Sequence, residues 1–222
     1  MKKNILFILL ITFISLVGYS QQTISLGILS DFEKTDERSQ FINKMLLEEI
    51  QKVTGSRYNV SFNKENHISC NWDKNQAITG YKKLSSSCDL IILIGGLSVQ
   101  GGLNNQPIFV PTIGLGVFNT DIQQIPFTKE ETSGISNFSY ILTSQNVTTE
   151  LTEFKKLIDY KNLVFLFDER TYKSIDQVIA QQKITKIGNS LNSVCKVISI
   201  DNKNIAASLA KIDQNTDAVY IG

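Results

Sequence analysis

The sequence has one histidine, three prolines, three cysteines and one tryptophan in 222 residues. A lone histidine excludes multi-histidine metal sites. His67 also lies upstream of every serine that could act as a nucleophile at a later strand end, the reverse of the order used by α/β-hydrolases. In its polar setting, NKENHISCNW, it reads as a solvated loop residue. The formal net charge is only +1, and the charged residues form no basic tract, so nucleic acid is not an expected partner. Long apolar runs are also scarce. The one present, Ile5 to Val17, follows Lys2 and Lys3 and ends in Gly18-Tyr19-Ser20. That reads as a secretory leader over residues 1–20, expected to be cleaved after Ser20 to leave a mature chain starting at Gln21, with an uncleaved membrane anchor as the alternative. It falls short of the roughly 20 residues that span a bilayer. An exported chain reaches an oxidising compartment, where Cys70 and Cys88 are the candidate disulfide pair and Cys195, inside an apolar strand pattern, reads as a buried free thiol.

What the mature chain does have is a repeating rhythm. Thr23 to Ser30 is an apolar strand; Asp36 then caps a helix in which Phe41, Met45, Ile50 and Val53 fall at helical spacing, closed by Gly55. Strands are expected at 58–62, 90–94, 108–114 and 138–142, with a polar loop at 63–73 and a helix opened by Asp73 or Asn75. The pattern resumes with helix 148–159, strand 163–167, helix 174–187, strand 194–200, helix 204–212 and strand 218–221. Continuous apolar strands alternating with helices indicate parallel sheet covered on both faces. The expected fold is therefore α/β with two Rossmann-like lobes: lobe 1 over 21–134, a linker over 135–147, and lobe 2 over 148–222. Three strands make a thin second sheet, so lobe 2 reads as incomplete and the sequence as a fragment of a longer protein.

The stretch DLIILIGGLSVQGG at 89–102 is the sharpest local signal. It has Walker spacing from Gly96 to Gly101, but Gly102 and Leu103 stand where Lys and Ser/Thr should contact phosphate and magnesium. It is near a hydrolase elbow, but Gln100 replaces the final glycine. What remains is a strand-to-helix turn in which Ser98 is placed to cap the helix and the free amides can hold an anion. Other strand ends carry ligand-type residues as well: Asp31 and Phe32, then Phe118 and Asn119, then Asp168, Glu169, Arg170 and Tyr172. In open α/β sheets ligands bind along that edge. Asp168 and Glu169 are the one adjacent carboxylate pair at a strand end, and neighbours in extended chain point to opposite sides, so an enzymatic reading is weak.

The succession of an exported leader, DLIILIGG, PIFVPTIGLGVFN, TSGISNFSYILT, ELTEFKKLIDYKNLVFLFDE and DAVYIG resembles the substrate-binding proteins of ABC transporters with the periplasmic type I binding fold. Ser133-Gly134-Ile135 is a thinned form of that family's linker, and Phe167-Asp168-Glu169 departs from its aromatic and amide. The resemblance implies a monomeric extracytoplasmic protein of the periplasm, without cofactor, metal or catalytic residue. It captures a small solute, an amino acid for example, between two lobes and delivers it to a membrane permease. It also implies roles: the solute carboxylate rests on the helix amides at Gly96, Ser98 and Val99; Asp31 or Asp168 accepts an amino group; Phe32, Phe118 or Tyr172 covers an apolar part, beside Asn119. A sensor or export-accessory role on the same fold is the alternative.

Overall fold

The computed structural model describes residues 21–55, 57–142 and 147–221. The leader at 1–20 and residues 143–146 of the expected linker lie outside the described residues. No helix among those described is long and apolar enough to cross a membrane.

Lobe 1 is built on a parallel sheet of β1 (Gln22–Ser30), β2 (Tyr58–Ser61), β3 (His67–Ser69), β4 (Leu90–Ile94), β5 (Thr112–Val117) and β6 (Phe138–Leu142), in the order β2-β1-β4-β5-β6. β2 and β3 share one edge of β1. Gln22 to Ser25 pair with Tyr58 to Ser61, and Ile28 to Ser30 pair with His67 to Ser69. A 3-10 turn at Lys64–Asn66 joins them, held by the Asn63 side chain accepting from the Glu65 amide at 3.1 Å. The stretch expected as a loop therefore contains a three-residue strand, too short to show a period. Pro111 lacks an N–H and cannot donate to the ladder, although its carbonyl accepts from the Ile91 amide at 2.9 Å. β5 consequently starts at Thr112 and runs to Val117, a few residues later than expected, while Ile108 is buried by the loop before it. β6 falls inside 135–147 and is the edge strand of this sheet.

Alternation along the central strands separates two apolar layers. Leu29, Ile91 and Leu93 face α2 (Lys74–Ser85) and α3 (Gly96–Leu103), in one cluster with Tyr81, Leu84 and Val99. Leu26, Ile28, Ile92 and Ile94 face Leu46, Leu47 and Ile50 of α1 (Glu37–Thr54). This corrects the expected α1 face. Phe41, Met45 and Val53 are 63%, 48% and 76% exposed, while the buried line begins with the polar residues Ser39 and Asn43. Asn43 is held there by His67, 3.3 Å from its amide nitrogen. His67 is thus half-buried in β3 against Asn43 and Phe62, not a solvated loop residue.

Lobe 2 has β7 (Asn162–Asp168) between β8 (Val194–Ile200) and β9 (Ala218–Ile221), all parallel. Its helices are α5 (Val147–Leu157), α6 (Glu169–Ser174), α7 (Gln177–Ser190) and α8 (Ile205–Leu209). Asp168, Asp176 and Asn204 cap the last three through their side chains, which is why each helix begins there. Leu163, Phe165 and Phe167 on one face of β7 pack with Leu151, Tyr160, Ala180 and Ile184. Burying each large side chain is worth about 1.5–3 kcal/mol. The same cluster includes Ile122, from the short α4 (Thr120–Gln123) of lobe 1, which is 2% exposed.

The disulfide is absent: Cys70, Cys88 and Cys195 are all free and buried. Cys70 follows the carboxyl end of β3 and Cys88 precedes the amino end of β4, with α2 running back between them. In a parallel sheet those are opposite edges, and a helix of 12 residues spans about 18 Å at 1.5 Å per residue. A disulfide needs Cα atoms within about 7 Å.

Candidate functional site

A doubly wound sheet opens a crevice at the carboxyl ends of the two neighbouring strands whose connections leave in opposite directions. In lobe 1 these are β1 and β4, and Asp31 fills the crevice. Its backbone N–H donates to the Ile94 carbonyl at 2.9 Å. Its side chain is fully buried, with Oδ2 accepting from the Leu97 amide at 2.9 Å and Oδ1 accepting from the Ser98 amide at 2.7 Å and the Ser98 hydroxyl at 2.6 Å. The Cys70 thiol is directed at Oδ1 from 3.6 Å. Four donors converging on one carboxyl is the coordination an ionised group takes. Burial still pushes the Asp31 pKa up, against the pull of those hydrogen bonds. Burial and the neighbouring Asp31 charge push the Cys70 thiol to about 12, leaving it unreactive.

This arrangement changes the roles expected of two residues. Ser98 does not cap α3; Gly95 occupies the cap position, with φ of 109°, and the Ser98 hydroxyl serves Asp31. The Ser98 amide, expected to hold a solute carboxylate, holds Asp31, and the Val99 amide is bonded to the Gly95 carbonyl at 3.1 Å. Val99 is fully buried in the core. Gly95 is required here because a Cβ would stand 2.3 Å from Asp31 Oδ2.

At the end of β5, Asn119 turns inward to cap α4, accepting from the Ile122 amide at 2.9 Å. Gln123, which the sequence reading missed, is the clamp of this corner. Its Oε1 accepts from the amides of Phe118 at 2.7 Å and Asn119 at 3.0 Å, and its Nε2 donates to the Gly116 carbonyl at 3.2 Å. In lobe 2, Asp168 accepts from the amides of Arg170 at 2.9 Å and Thr171 at 3.4 Å, from the Arg170 guanidinium at 3.2 Å, and from Asn202. Burial pulls its pKa up, but these bonds and the Arg170 charge outweigh it and hold the carboxyl below the usual range.

With the polar strand-end residues engaged within each lobe, aromatic and cationic side chains meet between the lobes, beside the buried Ile122 and an Asp121–Lys183 ion pair at 3.4 Å. Phe32 meets Trp72 edge to face at 5.5 Å, and the Arg170 guanidinium of lobe 2 lies over the Trp72 ring at 5.2 Å. Tyr172 stacks on Phe167 at 6.2 Å, and both Tyr172 and Phe118 pack against the lobe 2 cluster. Gly96 lies next to lobe 2: a Cβ there would stand 3.7 Å from Ser174 Oγ. Beside this seam, at the ends of β7 and β8, is a cavity of about 410 Å3 lined by Asp168, Arg170, Ile200, Asp201, Asn202 and Lys203 among others. That volume lies within the usual range for small-molecule sites. Trp72 was not singled out from the sequence. As the one tryptophan, placed in a polar loop, it carried a signal: a large aromatic group at a surface is more often a contact than a core residue. Among the described residues no cluster of three or more metal-ligating side chains occurs.

No protein-family profile matches the sequence, and no curated protein does. Solved structures match the fold. The ABC domain from Streptococcus pneumonia in complex with L-Trp superposes with a TM-score of 0.59 at 15% identity, over 88% of this chain and 64% of that one. An ABC-transporter solute-binding protein of Rhodopseudomonas palustris in complex with benzoate gives 0.63 at 14% identity, over 90% and 55%. A periplasmic binding protein type 1 from Bordetella pertussis gives 0.61 at 12% identity, over 90% and 55%. The chain thus spans about half to two thirds of the length of these structures. The α/β architecture with parallel sheets, expected from the residue pattern and from the resemblance, is the one these structures share.

Proposed function

We propose that this chain, which has the fold of the type 1 periplasmic binding proteins, is an extracytoplasmic solute-binding protein that holds a small molecule between its lobes for a membrane permease. The observation that carries the reading is the seam at the strand ends, where the Phe32 and Trp72 wall of lobe 1 faces Arg170 of lobe 2. A planar solute with a carboxylate fits that pairing. Its ring takes the place of the guanidinium on Trp72, and its carboxylate engages Arg170 in the two-pronged geometry that guanidinium favours. Structural neighbours in complex with L-Trp, benzoate and 4-hydroxybenzoate support this class. Tyr172 and Phe118, the other aromatic candidates, both pack on the lobe 2 cluster. Capture by hinge closure then follows the usual repertoire of two-lobed binders.

A thermal-shift screen of the chain from Gln21, against aromatic carboxylates, amino acids, sugars and nucleosides, tests the reading. A ligand at ~100 times its dissociation constant adds about 2.7 kcal/mol, or roughly 5–10 °C for a chain of this size. A shift of that order for aromatic acids, lost in Trp72→Ala, supports it. A cooperative transition that no compound in the panel moves removes it.

A further inference from the structure

We infer that Asp31 is a built-in carboxylate that occupies the anion site of lobe 1, so that recognition of a solute's negative charge falls to Arg170 on lobe 2. The second half of this inference rests on the solute-binding reading above; the first half stands on the geometry of lobe 1 alone.

The crevice between β1 and β4 has the parts of an anion site: helix amides at the start of α3, a hydroxyl, and a glycine turn that lets backbone come close. Every one of those parts is turned to Asp31. The Leu97 and Ser98 amides and the Ser98 hydroxyl all donate to it, and Ser98 and Asp31 are both fully buried. The turn is shaped around the carboxyl, since Gly95 lies at φ 109° and leaves 2.3 Å between its missing Cβ and Oδ2. The carboxyl is also tied at its own backbone: the Asp31 amide bonds to Ile94, and its carbonyl accepts from Trp72 at 3.2 Å. The same residue thus fills the anion site and anchors Trp72 at the seam.

The turns after the central strands β4 and β5, at 95–100 and 116–119, carry no Lys or Arg. Lys34, in the turn after β1, lines an outer groove with Lys83, Glu33, Glu65 and Ser69, in which the two lysines are matched by two glutamates. A solute carboxylate arriving at lobe 1 therefore finds its amides taken and a second carboxyl behind them. Arg170 offers the cation at the seam, and its present partner, Asp168, is also supplied by the Arg170 and Thr171 amides and by Asn202. Asp168 keeps those donors when the guanidinium turns to a solute.

The test is chemical replacement. In Asp31→Ala the donors are left unpaired in a carboxyl-sized space, and sodium formate is expected to raise the melting temperature relative to sodium chloride at equal ionic strength, while wild type responds alike to both salts. No formate-specific rise in the variant overturns the inference. Should Asp31→Ala not fold, the amide resonances of Leu97 and Ser98 in wild type decide: they are expected to stay in place through a formate titration, and their movement shows an open site. For the second half, a carboxylate ligand found in the screen is compared with its amide. Wild type is expected to favour the acid by about tenfold or more, the scale of a charge-assisted hydrogen bond, and Arg170→Gln to abolish that preference. A preference that survives in Arg170→Gln overturns the assignment to lobe 2. If the screen yields no ligand, the solute-binding reading fails while the formate response still decides the role of Asp31.

Discussion

Replacing Gly95 with alanine is the smallest change that should disable lobe 1. The added carbon falls 2.3 Å from Oδ2 and 2.4 Å from Cγ of Asp31, with the backbone at φ 109° and ψ 164°. Two effects add. A non-glycine residue in that region of backbone space costs about 1–3 kcal/mol, and pushing the carboxyl off its donors leaves buried amides unpaired at about 1–3 kcal/mol. The sum, about 2–6 kcal/mol, is a large part of the 5–15 kcal/mol that holds a typical domain folded, and corresponds to a fall of roughly 5–20 °C in Tm. Urea denaturation of Gly95→Ala beside Gly96→Ala gives the comparison. Gly96 is next in sequence, but a Cβ there meets only the side-chain ends of Gln123 at 3.2 Å and Ser174 at 3.7 Å. Alanine also favours the first turn of a helix by up to about 1 kcal/mol over glycine, so Gly96→Ala is expected within about 1 kcal/mol of wild type. A double-mutant cycle with Asp31→Gly should return a coupling of about 1–3 kcal/mol, the share that depends on the carboxyl. A Gly95→Ala protein as stable as Gly96→Ala refutes the account of this turn.

His67 supplies a pH-dependent prediction: burial, with the Lys34 charge, lowers its pKa below 6.5 in the folded protein. A depressed folded pKa means stability that is present above the unfolded value and lost as pH falls through the folded one. Wild type should therefore lose stability between pH 7 and 5 more steeply than His67→Gln in parallel melts; equal slopes sink the argument. The cysteines give a chemical test. All three are buried and free, so a thiol reagent should find none in the native protein on a timescale of minutes and all three in denaturant without reductant. A count of one in denaturant would establish the disulfide that the fold rules out.

The fold was legible because its cause is local. Runs such as Leu90–Ile94 and Leu163–Phe167 are apolar on both faces, and Asp73 and Asn204 announce helix starts by short-range capping, whereas Asp168 was named as a ligand residue and the six-residue helix it caps, Glu169–Ser174, was not expected. Even the disulfide was answerable in advance, since a β-α-β unit sends Cys70 and Cys88 to opposite edges of a parallel sheet. The α1 face failed for a different reason. SQFINKMLLEEI holds two stripes at helical spacing, and the buried one starts with the polar Ser39 and Asn43; only the pairing of Asn43 with His67, 24 residues away, makes that choice reasonable. The site was the least legible. Its strand-end residues were named, but the bonds from Asp31 to Leu97 and Ser98 cross 66 and 67 residues, and no local pattern distinguishes a carboxyl that waits for a solute from one already spoken for.

Ile122 has a consequence for the energetics of capture. Gln123 and Asn119 tie α4 to lobe 1, yet the neighbouring Ile122 side chain is 2% exposed within the apolar cluster of lobe 2. Separating the lobes with α4 held on lobe 1 withdraws that side chain into water, a change worth about 1.5–3 kcal/mol. On the solute-binding reading proposed above, this contact biases the empty protein toward the arrangement in which the lobes meet, and the affinity for a solute is the intrinsic affinity scaled by the fraction of molecules in the competent state. Under that proposal Ile122 acts as a gain control, set by a single methyl-rich side chain at the boundary between two otherwise separate cores.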